Sequence, residues 1–512
     1  MPKEGTGARV VRNTLANGAG AFTGIAISLI LTPFLIRHLG LEAYGIWVLA
    51  QSLTFFGGYA AIADLGVEAA AVRYVAEARA VQDAEELNRI VTSAMLFFSG
   101  IALVFTPILI LLADPFTKLF NVEPAYHQAA IYVFTFVAAQ LVFDLPARAF
   151  FAVLEGAQQF ATFQVVLLAR AVVQAALFVA VIVANLGIGS LGAVSFISSA
   201  VMFVVAWFLA KRAVPELHIR RRYLSRASLK KLFSFGGGLF LMRIVGTTYR
   251  HMDKLIVGIA LGPSYVTIYE IANQIHLAVQ TVQSVAASAL TPATAYLRAQ
   301  REILRDMFLR GSSYVVGFAL PATVAGIIFA EAFIRTWIGG ALEEAAGPSR
   351  LFLLYLTFTI FNIVGLTMVV ALGHIRFVLY VVTANLVVNF AISVALVDRL
   401  EVNGVILGTL IAQALAWPPL LWFFFQEFGV RLGEWLRQVV APALPGLVAQ
   451  AATAAPLLYL ANRSDSLIVV GLLTLISIGV AGGAYYAVGL ARDQRALLKT
   501  TFRQAVGSRG AA

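Results

Sequence analysis

The sequence has 512 residues, of which 60% are hydrophobic and only 12% charged, with a formal net charge of +11. Water-soluble domains are about 45–50% apolar and about 25% charged, so this composition excludes a water-soluble globular protein, a disordered chain and a coiled coil. The chain contains no cysteine, which excludes disulfides, thiol catalysis and thiolate metal sites. We therefore expect a protein that crosses a membrane many times.

The apolar segments predict a helical bundle. A bilayer core of about 30 Å is crossed by roughly 20 apolar helical residues. Barrel strands would be shorter and would alternate in polarity, and no such alternation is seen, so the predicted fold is an all-α integral membrane protein with 14 transmembrane helices. The predicted spans are 15–36, 43–63, 91–113, 126–147, 160–184, 191–210, 233–260, 265–289, 308–330, 351–372, 377–397, 404–425, 438–460 and 467–490.

Lysine and arginine are distributed unevenly between the two sides that these spans define. An even number of spans puts both termini on one side, and 26 of the 37 basic residues then lie on that side. Because cytoplasmic loops are enriched in Lys and Arg, both termini are predicted to be cytoplasmic. The largest basic segment, 211–232, is predicted to be a cytoplasmic linker that is attracted to anionic lipid headgroups, and no nucleic acid partner is expected.

The sequence on the two sides of this linker repeats in the same order. For example, Leu39-Gly40 followed by Tyr44 is matched by Leu261-Gly262 followed by Tyr265. Two six-helix repeats in the same orientation are typical of a transporter that works by alternating access. The predicted domains are an N-lobe with helices 1–6 (1–210), the basic linker (211–232), a C-lobe with helices 7–12 (233–425), and helices 13–14 with a cytoplasmic tail (426–512).

Short motifs are spread along the whole chain: Asn13-Thr-Leu-Ala-Asn17, Pro33, Leu39-Gly40, Tyr44-Gly45, Asp64-Leu-Gly66, Arg73-Tyr74, Met252-Asp-Lys-Leu-Ile-Val-Gly258 and Leu261-Gly262. With these motifs the chain resembles the polysaccharide-export or O-antigen flippases of the multidrug/oligosaccharidyl-lipid/polysaccharide (MOP) superfamily. The resemblance implies a MATE-like fold in the cytoplasmic (inner) membrane. It also implies that undecaprenyl-pyrophosphate-linked oligosaccharide is flipped to the outer leaflet without covalent catalysis or a cofactor, and that polymerase and assembly proteins act with the flippase.

The seventh span carries the candidate pyrophosphate site. Arg243, Thr247, Arg250 and Lys254 lie at i, i+4, i+7 and i+11, on one helical face about 16 Å long. A pyrophosphate needs cationic donors, and a charge inside a membrane is costly enough to suggest function. The alternative is that Arg250 or Lys254 forms a structural ion pair with Asp253 or Glu270.

Two further spans carry candidate sugar contacts. Amide and aromatic side chains suit sugar hydroxyls and sugar faces, whereas the alternatives are hydrogen bonding between helices and an aromatic belt at the membrane interface. The polar face of the eighth span also includes Glu270, and Thr247 of the seventh span is expected to contribute to the polar lining. The candidate sugar contacts are Asn273, His276, Gln280 and Gln283 in the eighth span and Trp47 and Gln51, beside Tyr44, in the second.

Three carboxylates inside the predicted spans are candidates for ion coupling, and Glu270 is favoured over Asp253 and Asp144. Asp253 lies beside cations that would keep it ionised, and Asp144 has Arg148 one turn away, so structural roles are the alternative for both. Arg170 in the fifth span either faces a cavity or pairs with another helix. No metal site is expected.

Three other functions remain as alternatives. The lipid II flippases place arginine in the first span, whereas residues 13–36 contain none here. The drug/cation antiporters of the same superfamily have twelve spans and a carboxylate in their early helices, which the first span lacks. A membrane-embedded glycosyltransferase needs acidic catalytic groups and a sizeable outer loop, whereas the outer segment 331–350 is short.

Overall fold

The computed structural model describes residues 23–54, 58–288, 290–492, 494 and 495. The expected start of the first span with the Asn13–Asn17 motif, residues 55–57 and the C-terminal tail lie outside these ranges. Within them the regular elements are helical and no β-strand is present. The α-helices are α1 (Thr23–Leu39), α2 (Leu41–Ser52), α3 (Val67–Ala80), α4 (Ala84–Leu111), α5 (Ala113–Leu119), α6 (His127–Ala139), α7 (Leu141–Gly156), α8 (Phe160–Val183), α9 (Gly189–Ala213), α10 (Arg226–Leu261), α11 (Pro263–Ser288), α12 (Leu290–Tyr296), α13 (Arg301–Trp337), α14 (Ala346–Leu372), α15 (Ile375–Phe428), α16 (Leu432–Trp435), α17 (Leu444–Asn462) and α18 (Leu467–Ala484).

Nine helical stretches in the described part of the chain are long and apolar enough to cross a bilayer, so the protein is a multi-pass membrane protein. α10 and α11 are also longer than one crossing requires, but their polar residues keep them out of this set. The nine stretches are Ala84–Leu111, Pro124–Gly156, Phe160–Val183, Gly189–Ala213, Arg301–Trp337, Leu342–Leu372, Ile375–Phe428, Leu432–Asn462 and Leu467–Gly489.

The longest of these stretches, α15, is a helical hairpin. Its 54 residues would extend for about 81 Å as a straight helix, far more than one bilayer crossing needs. Glu401 breaks the helix with a φ of 50°, and residues after it pack back on residues before it. A Cβ on Gly404 would lie 2.5 Å from the Leu396 carbonyl oxygen, and one on Gly408 would lie 2.2 Å from Ser393 Oγ. The predicted spans 377–397 and 404–425 therefore lie on opposite sides of the break, and the total of fourteen stays a prediction.

The described chain divides into two compact units. The first takes the residues up to Glu270 together with Leu386–Gly408, and the second takes Ile271–Asn385 and the chain from Thr409 onward. This division falls at Glu270 inside α11, whereas the lobes predicted from the repeat are separated by the linker 211–232. The predicted lobe boundaries rest on sequence repetition rather than compactness and stay a prediction.

The first unit has its core among α3, α4, α7 and α9. The fully buried rings Phe98, Phe150 and Phe151 fill it, and aromatic side chains contribute the most buried apolar area in such a core. α10 packs against α2, α3 and α4 in the same unit. This packing fixes the face of α10 that carries the charged residues.

In the second unit, α13 is packed between α14 and α18. Phe308 stacks on Phe428 with ring centroids 4.8 Å apart. The Tyr485 ring covers Gly317, where a Cβ would lie 2.1 Å from the ring, and the Tyr485 hydroxyl donates to the Ser313 carbonyl at 2.9 Å. Close approach at a glycine and hydrogen bonds between helices are the usual contacts by which helices associate in a membrane.

Candidate functional site

One unbroken helix presents the predicted cationic face. α10 begins after Ser225, whose side chain accepts the Ser228 amide hydrogen, and it ends at Gly262 with a φ of 92°. The left-handed conformation of Gly262 costs little because glycine has no Cβ. Arg243, Thr247 and Arg250 therefore lie on one continuous helix, as the spacing predicted, but their environments differ strongly.

Arg243 is held by two carboxylates, one just before α3 and one in its first turn. Its guanidinium pairs with Asp64, which is fully buried, and lies 3.7 Å from Glu68. Asp64 also accepts the Glu68 amide hydrogen at 2.8 Å, and Glu68 pairs with Arg148 of α7 at 2.6 Å. Four charged side chains therefore link α3, α7 and α10, and the buried charge of Asp64 is compensated, as a buried charge must be.

Sequence reasoning did not find Asp64 and Glu68 as partners of Arg243. Asp64 is followed by Leu65 and Gly66, both with a positive φ, and this turn directs the chain into α3. The signal in the sequence is the pair of carboxylates at i and i+4 around the Leu-Gly turn. That spacing places both near the amino end of α3, but it does not say which cation they meet.

Arg250 is the exposed cation of the face. It makes no hydrogen bond or ion pair with the residues that the structure describes. Thr247 is 1% exposed, and its hydroxyl oxygen has no hydrogen-bond partner in the same part of the chain. An unpaired guanidinium on a helix of membrane-spanning length is unusual because a charge in hydrocarbon is costly.

Lys254 forms an ion pair with Glu270 of α11. The Lys254 Nζ atom lies 2.6 Å from a Glu270 carboxylate oxygen, and the two side chains are 12% and 13% exposed. The structure thus contains the Lys254–Glu270 pair that the sequence left open as an alternative to pyrophosphate binding. The predicted cation and the favoured coupling carboxylate neutralise each other in this conformation.

Asp253 lies in a buried polar network that reaches both arms of the α15 hairpin. One carboxylate oxygen accepts from the Asn389 amide at 3.1 Å, and the other accepts from the Tyr269 hydroxyl at 3.4 Å. The Ser393 hydroxyl lies 2.8 Å from Asn389 Oδ1 and 3.0 Å from the Val405 carbonyl oxygen. The sequence singled out Asp253 but neither Asn389 nor Ser393, which lie far along the chain in an apolar segment.

Asp144 and Arg170 belong to a second network between helices. Asp144 is 2% exposed and lies 3.5 Å from Arg170 of α8. Arg170 also donates to the Ser199 hydroxyl of α9 at 2.9 Å. The open question about Arg170 is therefore answered in favour of pairing with another helix. Arg148, one turn from Asp144, forms an ion pair with Glu68.

The polar face of α11 continues in the second unit. The His276 ring stacks on Phe352 at 5.0 Å, and its Nδ1 lies 3.4 Å from Asn273 Oδ1. Gln283 is 1% exposed and accepts from the Thr359 hydroxyl at 3.5 Å. His276 and Gln283 therefore pack against α14, whereas Asn273 and Gln280 stay partly exposed.

The predicted aromatic contacts of the second span are mostly buried. Trp47 is 7% exposed and meets Phe178 edge to face at 5.2 Å. The Tyr44 hydroxyl lies 3.2 Å from the Thr32 hydroxyl. Gln51 alone of these predicted residues is partly exposed in the described chain.

The fold of this chain is shared with solved structures of two membrane proteins. It matches the lipid II flippase MurJ in an inward closed conformation with a TM-score of 0.71 and 13% identity, over 93% of this chain and 99% of that one. It also matches the inward-facing conformation of a multidrug resistance MATE family transporter with a TM-score of 0.62 and 18% identity, over 80% and 98% of the two chains. At these identities the likeness establishes the fold, and the predicted MATE-like architecture is confirmed.

The family follows from the sequence comparison. The family model described as polysaccharide biosynthesis protein matches residues 34–346, more than half of the chain. A Shigella flexneri protein named as a candidate O-antigen transporter is 19% identical over 428 residues, 81% of this chain and 97% of that protein. The chain belongs to the polysaccharide biosynthesis protein family, which confirms the resemblance predicted from its motifs.

Proposed function

We propose that the protein moves undecaprenyl-pyrophosphate-linked oligosaccharide from the inner to the outer leaflet of the cytoplasmic membrane. The product would be a surface polysaccharide, such as O-antigen, capsule or exopolysaccharide. Family membership and the similarity to the Shigella flexneri protein support this function. The transport involves no covalent catalysis, and a polysaccharide polymerase and assembly proteins receive the flipped substrate.

The observation that carries the proposal is the unpaired Arg250 beside the paired Arg243 on α10. A sugar pyrophosphate cannot cross lipid tails without cationic donors, and arginine offers a planar fork that matches phosphate oxygens. Arg250 is available at once, whereas Arg243 must first exchange its carboxylate partners for the pyrophosphate. Lys254 joins the site only when Glu270 releases it.

The sugar part of the substrate meets neutral polar groups. Asn273, Gln280 and Gln51 are the predicted sugar contacts that stay partly exposed. Thr247, His276, Gln283 and Trp47 are buried in this conformation. They contact sugar only if alternating access exposes them, which is the expected motion of a transporter built from two repeats.

Ion coupling is assigned to Glu270, with Asp253 and Asp144 as the other candidates. Protonation of Glu270 would remove the partner of Lys254 and deliver a free cation to the α10 face. This links proton uptake to pyrophosphate binding through one ion pair of 2.6 Å. Asp253 and Asp144 lie in hydrogen-bonded networks between helices, which favours structural roles for both.

The test is complementation of a bacterium that lacks its own O-unit flippase. The wild-type chain is expected to restore surface polysaccharide, and Arg250→Gln is expected to abolish it at an unchanged protein level. Arg437→Gln is the matched control, because Arg437 is exposed and its substitution removes the same charge outside the α10 face. Normal export by Arg250→Gln would overturn the proposed site.

If the wild-type chain inserts into the membrane but does not restore export, a second strain is tested. Glycan specificity alone explains such a failure, so the same assay is repeated in a strain depleted of its lipid II flippase. Rescue of that strain would assign the protein to peptidoglycan precursor transport instead. Failure in both strains would contradict transport of a lipid-linked glycan.

A further inference from the structure

A second charged site lies in the second unit. A cavity of 610 Å³ is bordered by the α12–α13 junction, the α14–α15 junction and the end of α15. Its charged lining comes from Arg298, Arg301, Glu302, Arg305, His374 and Glu427. None of these residues takes part in the proposed transport site.

The arginines of this cavity differ in their partners. Arg305 is held by Glu434 through two contacts of 2.5 and 2.6 Å and donates to the Gly429 carbonyl at 3.4 Å. Arg298 and Arg301 are exposed, and neither has an ion pair or hydrogen bond within the described ranges. They are two guanidinium groups, three residues apart, beside a cavity.

Neither carboxylate of the lining pairs with Arg298 or Arg301 in the described chain. Glu427 lies 3.2 Å from His374 Nε2. Glu302 lies in the first turn of α13, where the positive end of the helix dipole favours a negative charge. Arginines outnumber glutamates in the lining by three to two, and two of the three arginines have no carboxylate partner there.

The ends of three membrane-length helices place the cavity at one membrane edge. α13 begins at Arg301, α14 ends at Leu372, and α15 begins at Ile375 and ends at Phe428. Ile303 and Ile375, which adjoin the lining residues Glu302 and His374 in the chain, are 47% and 40% exposed. Exposed apolar residues and exposed arginines at the same helix ends are groups that an acyl chain and its headgroup can contact.

The corresponding place in the first unit has a different charge. A cavity of 460 Å³ lies between the α3–α4 junction and the end of α9, and its charged lining is Arg79, Asp83 and Glu216. There Asp83 caps α4 by accepting the Glu86 amide hydrogen at 2.9 Å, whereas Gln300 gives α13 no side-chain cap. Of these two cavities, only the one in the second unit combines two arginines that lack ion-pair partners in the described chain with a helix start that lacks a side-chain cap. The feature is therefore not a general property of helix junctions in this fold.

We propose that the Arg298–Arg301 cavity binds a phosphate-bearing anion, with the headgroup phosphate of an anionic lipid as the source that its position favours. The two guanidinium groups donate charge-assisted hydrogen bonds to the phosphate oxygens. The backbone amides at the start of α13, which lack a side-chain cap, add further hydrogen-bond donors with partial positive charge. The site is independent of the transported substrate and lies on the side predicted to be cytoplasmic.

The experiment measures lipid retention by the full-length protein in detergent with native mass spectrometry. Phosphatidylglycerol and phosphatidylethanolamine are titrated against the wild type and against the double variant Arg298→Gln/Arg301→Gln. The wild type is expected to prefer phosphatidylglycerol, and the double variant should weaken its binding about thirtyfold. The matched control is Arg431→Gln/Arg437→Gln, which removes two exposed arginines outside the cavity lining and should leave binding unchanged.

A separate arm uses inorganic phosphate without added lipid. Saturable phosphate binding that disappears in the same double variant would keep the anion site and assign it to a free phosphate. Equal phosphatidylglycerol binding by the double variant and the control, together with no phosphate binding, would overturn the proposal. Because both substituted residues are exposed, thermal denaturation midpoints of all variants should agree and exclude unfolding as the cause.

Discussion

At the scale of single residues, Arg243 combines a structural role with a proposed role in binding. It compensates the fully buried Asp64, and it is proposed to bind pyrophosphate. Removing one partner of a buried ion pair leaves an unpaired charge, so loss of Arg243 affects folding as well as transport. A single substitution at Arg243 therefore does not separate the two roles, whereas a paired substitution does.

Arg243→Gln should destabilise the protein, and Asp64→Asn in the same chain should recover most of the loss. We expect a cost of about 2 kcal/mol for the single change, less than the roughly 3–5 kcal/mol of a fully buried pair, because Arg243 is 35% exposed. Asn keeps an oxygen that accepts the Glu68 amide hydrogen and carries no charge. The measurement is the thermal denaturation midpoint in detergent combined with surface polysaccharide export.

The exposed pair Arg73–Glu77 provides the control for this cycle, because solvent screens this pair and Arg73→Gln should leave the denaturation midpoint nearly unchanged. Recovered stability with export still absent in the double variant would support pyrophosphate binding by Arg243. Recovered stability with full export would reduce Arg243 to a structural role.

Exchanging the charges of Lys254 and Glu270 should leave the stability of the protein nearly unchanged. Glu270→Gln leaves Lys254 without its partner at 12% exposure and should lower the denaturation midpoint, and Lys254→Glu/Glu270→Lys should restore it. If Glu270 couples transport to protons, the exchanged pair should fold but lose the response to a pH gradient. Transport by proteoliposomes with and without that gradient measures this response, and a Glu270→Gln protein with normal gradient dependence would rule out coupling at Glu270.

At the scale of elements, α2 and the start of α11 approach each other closely at Gly45. A Cβ on Gly45 would lie 1.8 Å from the Pro263 carbonyl oxygen. Backbone atoms cannot move aside as a flexible side chain can, so the two helices must separate if a methyl group is added. The glycine therefore sets the distance between α2 and α11.

Gly45→Ala is expected to lower stability by about 2 kcal/mol or more through this overpacking. Gly246→Ala in α10 is the matched control, because nothing lies within 4 Å of its added Cβ. That control should gain about 0.5–1 kcal/mol from the better helix propensity of alanine. Denaturation midpoints of the two variants measure the difference, and equal midpoints would contradict the close approach.

The elements also show what the sequence predicts well. Apolar length located both arms of α15, 377–397 and 404–425, although the break between them is a single residue, Glu401. The same criterion missed α3, α5 and α12, because it finds only long apolar segments and these helices are short. Between the predicted spans 43–63 and 91–113, α3 is amphipathic rather than apolar.

The candidate site could be predicted from the sequence only where its residues lie close together on one helix. Helical spacing placed Arg243 and Arg250 on one face, because a period of 3.6 residues can be read directly from the sequence. It did not show that Arg243 meets Asp64 or that Asp253 meets Asn389, because these residues are separated by 179 and 136 positions. Only tertiary packing decides which of two cations on one face is paired.

At the scale of the whole molecule, the orientation of the chain links the charge pattern to the direction of transport. Both termini and the basic linker 211–232 are predicted to lie in the cytoplasm, where the lipid-linked substrate would be loaded. The hairpin break near Leu400 and the segment around Asp465 are then predicted to lie outside. The chain contains no cysteine, so single-cysteine variants can be labelled without background.

Ala299→Cys, Leu400→Cys and Asp465→Cys replace exposed residues and test this topology. A membrane-impermeant maleimide should label the last two in intact spheroplasts, and it should label Ala299→Cys only after the membrane is opened. If α15 crossed the bilayer once, Leu400 would lie in hydrocarbon and would resist labelling from both sides, because a single crossing uses only about 20 residues. Labelling of Ala299→Cys and Leu400→Cys from the same side would contradict the hairpin, the parity of the span count and the cytoplasmic loading of the substrate together.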